Sequence, residues 1–67
     1  MTYEEAFEII SNNGYNCQIT YENKIFCCVL SPKEGYPSSY YILPQISCKT
    51  LGDLILEVIN FTSKNKR

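Results

Sequence analysis

The chain opens on a helical period. Tyr3, Ala6, Phe7 and Ile10 recur at i, i+3, i+4 and i+7, while Glu4, Glu5 and Glu8 lie off that stripe. Thr2 stands three residues before Glu5, the spacing of a capping box. In that motif the Thr2 hydroxyl accepts from the Glu5 amide and the Glu5 carboxylate reaches back to the Thr2 amide. Three acids in the first two turns suit the helix dipole. Asn12-Asn13-Gly14 closes the run, with Gly14 able to take the left-handed conformation past the cap. The pattern predicts a first helix over residues 3–12.

From Tyr15 the period drops to two. Tyr15, Cys17, Ile19 and Tyr21 alternate with Asn16, Gln18 and Thr20, as in a half-buried strand. Glu22-Asn23 is the expected turn, and Lys24–Leu30 a second strand, apolar on both faces from Ile25 onward. Ser31–Pro37 holds two prolines and a glycine and reads as a loop. Ser38–Leu43 is expected to form a short third strand, followed by an irregular connection at Gln45–Lys49. Thr50, with Asp53 three residues on, caps a second helix whose stripe is Leu51, Leu54, Ile55, Val58 and Phe61, widened by Ile59. That helix is expected to fray near Thr62.

Helix, three strands and helix with short connections predict an α+β fold: a single small αβββα domain over residues 1–62. Its sheet should be antiparallel, three-stranded and of order 1-2-3, with both helices on one face. Residues 63–67 are expected to be a basic solvated tail. A turn at Glu22-Asn23 would pair Tyr21 with Lys24, Ile19 with Phe26 and Cys17 with Cys28, turning Tyr15, Cys17, Ile19, Phe26, Cys28 and Leu30 toward the helices. Gln18, Thr20, Ile25, Cys27 and Val29 would then share the other face, which a single layer of helices leaves open. Tyr40 and Tyr41 point to opposite faces, so one of them should join the open side.

Composition narrows the function. At 67 residues there is room for one thin core, which buries only about 60% of the surface the unfolded chain exposes. Six basic against seven acidic residues, with 45% apolar residues, argue against both disorder and a general nucleic-acid binder. No apolar run is long enough for a membrane span, and the acidic, polar start from Met1 to Glu5 does not read as a signal peptide; a cytoplasmic protein is expected. The chain has no His, which removes Ser/His and Cys/His catalysis and the commonest metal ligand. Its glycines are isolated and form no phosphate loop. No catalytic, cofactor or metal site is expected, and the chain reads as a non-enzyme.

The four cysteines, Cys17, Cys27, Cys28 and Cys48, lack zinc-ligand spacing, since adjacent Cys27 and Cys28 on a strand point to opposite faces. They read first as small buried hydrophobes, with a Cys17–Cys28 disulfide as the alternative in an oxidising compartment. Six tyrosines are many for this length, and Tyr is favoured at protein interfaces. Tyr3, Tyr15 and Tyr21 are the ones expected to fill the core instead.

The helix–strand–strand–strand–helix order resembles the double-stranded-RNA-binding domain and, in size, the HicA-type toxins. The likeness to the toxins lies in Asn13-Gly14 followed by Tyr15, in Leu43-Pro44 and in the leucine-rich helix from Leu51 to Ile59. The resemblance implies an RNA-binding module. The strand-borne His that cleaves RNA in the toxins has no counterpart in Glu22–Cys27, and the basic cluster of the RNA-binding domain is replaced by Lys49–Asp53. In scale the chain also looks like small phage-encoded inhibitors, anti-CRISPR proteins among them. Asn, Lys, Ile, Tyr and Phe make up 28 of the 67 residues, the bias of an AT-rich genome. The expected function is therefore a binding or inhibitory protein acting by protein–protein contact, on a host protein or on itself. An RNA-binding module and a homodimerising structural protein are the alternatives.

Overall fold

The first helix forms as its cap predicts. In the computed structural model, which describes residues 1–33 and 45–66, α1 spans Tyr3–Asn12 and both halves of the capping box are made. The Glu5 amide donates to Thr2 Oγ1 at 3.1 Å and the Thr2 amide donates to Glu5 Oε1 at 3.2 Å. The helix ends where Gly14 takes a φ of 96°. Strands β1 (Tyr15–Glu22), β2 (Ile25–Pro32) and β3 (Gln45–Cys48) form one antiparallel sheet of order β1-β2-β3, and α2 spans Leu51–Lys64. The αβββα architecture is the expected one. Ile10 of α1 and Leu54 and Val58 of α2 meet Tyr15, Cys28 and Leu30 in a single buried cluster, so both helices cover the same sheet face.

The hairpin register differs from expectation by two residues. Asn23 and Lys24, not Glu22 and Asn23, are the turn, with φ of 52° and 63°. Two central residues at positive φ define the turn whose twist matches a hairpin, and its first position favours Asn. The pairing that results is Glu22 with Ile25, Tyr21 with Phe26, Ile19 with Cys28, Cys17 with Leu30 and Tyr15 with Pro32. Every residue of both strands finds a partner, and β2 runs on through Ser31-Pro32, past the expected start of the loop. Tyr21 also gains a tilted ring contact with Phe26, centroids 4.5 Å apart. A slip of two leaves every side chain on its expected face, because the strand period is two. Cys17 and Cys28 become diagonal neighbours instead of direct partners.

Gln45–Cys48, expected to be irregular, is a strand. Gln45 and Ser47 are exposed while Ile46 and Cys48 are half-buried, a period-two alternation four residues long. Such a run is too short to stand out beside Pro44, and it becomes a strand by pairing with Phe26–Val29 of β2. The strand expected at Ser38–Leu43 lies outside the described residues. On α1, Ala6 and Ile10 are buried but Tyr3 and Phe7 are exposed, and Tyr21 is exposed on β1; of the tyrosines assigned to the core only Tyr15 fills it.

The second helix outlasts the expected fraying point at Thr62 by two residues. Thr62 is buried, and its hydroxyl donates to the Val58 carbonyl at 2.9 Å while accepting from Asn13 Nδ2 at 3.2 Å. Asn13 Nδ2 also reaches Ser63 Oγ at 3.3 Å. The Tyr15 hydroxyl donates to the Asn65 carbonyl at 2.7 Å, and its ring meets Phe61 edge-on. The end of α1 is thus tied to the end of α2 by buried polar contacts that hydrophobic periodicity does not encode.

Two outcomes follow. Lys24→Gly removes a Cβ from a left-handed position and should raise stability by about 0.5–1 kcal/mol, seen as a higher urea midpoint at unchanged slope. Asn13→Ala strips the buried tie and should cost roughly 1–3 kcal/mol. Asn12→Ala, one residue away and exposed, should stay within about 0.5 kcal/mol.

Candidate protein-interaction face

The face of the sheet turned away from the helices is built by the alternation of three strands. Its central row comes from β2: Ile25 is 40% exposed, Val29 is 47% exposed, and Cys27 between them is half-buried. Pairing sets Gln18 and Gln45 on either side of Val29, and Thr20 and Ser47 on either side of Cys27. The structure therefore brings Gln18, Thr20, Ile25, Cys27 and Val29 together on one face. Tyr40 and Tyr41, one of which is expected on the same surface, lie outside the described residues. Gln45 and Ser47 belong to the face and were not expected there, because their segment was read as irregular; the alternation Gln-Ile-Ser-Cys was the available signal.

Two features give this face its chemistry. Its apolar row runs along the middle strand, so it is central and not at a rim. The rows crossing Val29 and Cys27 hold no charged side chain, and Glu22 stands opposite Ile25 at the hairpin end. Interface cores are depleted of charge in this way. Hydroxyl and amide groups flank the row and are free to exchange water for partner groups, apart from Ser47 Oγ, which lies 3.2 Å from Cys27 Sγ.

The helix-facing side carries the other thiols. Cys17 Sγ and Cys28 Sγ are 3.1 Å apart and share a hydrogen bond. Cys28 is fully buried and Cys17 half-buried. The shared hydrogen bond with Cys17, and then burial, hold the Cys28 thiol well above its ordinary range, while the same hydrogen bond lowers Cys17. Cys48 is raised by desolvation and, beyond that, by the carboxylates of Glu57 and Asp53. Among the described residues no group of three or more His, Cys, Asp or Glu side chains is placed to hold a metal ion.

A second apolar surface had no clear sequence signal. A groove of about 340 Å³ runs between the start of α1 and the first turns of α2, lined by Met1, Tyr3, Ala6, Ile55 and Leu56 beside Gly52. Leu56 lies off the apolar stripe of α2 and is 58% exposed. Among the described residues the lysines do not gather on a single face. Lys24 at the hairpin turn and Lys49 after β3 lie at one end of the sheet. Lys33, whose amide donates to the Gly14 carbonyl, lies at the other end, where Lys64 and Lys66 flank the Asn65 that accepts from Tyr15. No helix among the described residues is long and apolar enough to cross a membrane.

Compared with protein-family models, with curated proteins and with solved structures, the chain gives no significant match in any of the three.

Proposed function

We propose that this chain is a non-enzymatic binding protein that engages a protein partner through the open face of its sheet, and that it inhibits by occupying the partner's surface. The observation that carries the proposal is the uncharged apolar row Ile25, Cys27 and Val29 on the central strand, flanked by Gln18, Thr20, Gln45 and Ser47. All of the chain's acidic and basic residues among those described lie outside the rows through Cys27 and Val29, as an interface core requires. The row is apolar, so covering it gains free energy from water, and its polar flanks supply orientation.

A second reading draws on the three lysines at the Gly14 end of the domain, Lys33, Lys64 and Lys66. An RNA-binding module would use them against phosphate, and its affinity would fall steeply with salt.

Val29→Lys separates the two. Val29 is exposed, so the variant should fold with a stability change of under about 0.5 kcal/mol. Placed in a contact, the same ammonium group would be buried without a partner and should weaken binding by tenfold or more. Affinity capture from a bacterial lysate with the wild-type and Val29→Lys chains, read by mass spectrometry, should give proteins retained by the first and lost by the second. An identical protein set for both chains, or retention of RNA alone, would overturn the proposal.

A further inference from the structure

The two strands that present the open face carry the thiol pair on their opposite side. Cys17 pairs with Leu30 and Cys28 with Ile19, so the two cysteines are diagonal neighbours across β1 and β2. The twist of the strand pair brings their sulfurs to 3.1 Å. That is about 1 Å beyond a disulfide bond of roughly 2.05 Å, a gap that small side-chain rotations close. The other cysteines are placed differently. Cys27 points to the open face beside Ser47, and Cys48 stands opposite Phe26 on β3.

We propose that Cys17 and Cys28 are a redox site: they form a reversible intrachain disulfide on reaction with a small-molecule disulfide of the oxidised-glutathione class, Cys17 attacking and Cys28 resolving. Exposure assigns the roles. Cys17 sits on β1, at the edge of the sheet, and is partly open to solvent, whereas Cys28 on the central strand has none of its surface exposed. Of the two, only Cys17 can meet an external disulfide, and its hydrogen bond with Cys28 favours its thiolate, the attacking form.

In the first step the Cys17 thiolate attacks one sulfur of the oxidant, forming a mixed disulfide and expelling one small thiolate. In the second, Cys28 gives its proton to that leaving thiolate and attacks the Cys17 sulfur, expelling the second thiolate. That one takes up the proton Cys17 had released. Two protein thiols are oxidised, one external disulfide is reduced to two thiols, and no other oxidant is needed. The product staples β1 to β2 beneath the open face. Val29→Lys leaves the thiol pair intact and Cys17→Ser leaves the outward row intact, so this proposal and the binding proposal fail separately.

The test treats the full chain with excess oxidised glutathione under native conditions. The monomer should lose the mass of two hydrogens, its melting temperature should rise by roughly 10 °C, and dithiothreitol should reverse both changes. Trypsin cuts after Lys24, so in the Cys27→Ser variant a disulfide should join the peptide ending at Lys24 to the one beginning at Ile25. Cys28→Ser should stall as a glutathione adduct on Cys17, while Cys17→Ser should leave Cys28 unmodified for as long as the chain stays folded. No mass loss, a link through Cys27 or Cys48, or an adduct on Cys28 in the folded Cys17→Ser chain would overturn the proposal. The linked-peptide map leaves both proposed cysteines in place, so it decides the matter even if the Cys28→Ser chain does not fold.

Discussion

Everything distinctive about the domain depends on two residues held at positive φ. Asn23 and Lys24 form the tight turn between β1 and β2, and that turn sets which side chains meet across the strands. Asn tolerates the left-handed region because its short amide can bond locally; Lys has no such help and is held there by the ladder that follows. Eight residues of β1 pair with eight of β2, and the cost of one strained lysine is spread over that whole length. The same register puts Tyr21 on Phe26, Leu30 opposite Cys17, and the Cys17 and Cys28 sulfurs side by side.

A small domain with one helical layer can cover only one side of its sheet. Here β2 is apolar on both sides, so Cys28 and Leu30 are buried under the helices while Ile25 and Val29 stay at the surface. The covered side makes a thin core, and its far end is closed with polar groups instead of hydrocarbon. Asn13, Thr62, Tyr15 and Asn65 lock the end of α1 against the end of α2, and each contact is worth more for being shielded from water. The uncovered side is left with a central apolar row and neutral flanks. Burial, polar closure and the open face are three results of the same shortage of layers.

The elements with strong periodicity or capping chemistry were legible in the sequence. The α1 boundaries came from Thr2, Glu5 and Gly14, each of which has a local role that needs no tertiary partner. The faces of β1 and β2 were legible because alternation survives a slip of two residues. The register itself was not, since apolar faces alone cannot distinguish pairings that differ by an even number and the choice rests on turn geometry. Gln45–Cys48 went unread because its four residues become a strand only through β2. Thr62 read as a helix end because a polar residue there signals solvent, and nothing local announces that Asn13, 49 positions earlier, bonds to it. Of the candidate face, the five residues from β1 and β2 were legible through alternation, whereas Gln45 and Ser47 required the third strand.

The register is best tested by nuclear Overhauser contacts between α-protons in the free protein. In an antiparallel pair these protons approach closely only at the non-hydrogen-bonded positions, where Cα atoms lie about 4.5 Å apart. A two-residue turn at Asn23-Lys24 puts Tyr21/Phe26, Ile19/Cys28 and Cys17/Leu30 at those positions. Strong α-proton contacts in these three pairs are the result expected. Contacts in Thr20/Ile25 and Gln18/Cys27 instead would mean a turn at Glu22-Asn23 and would contradict the account.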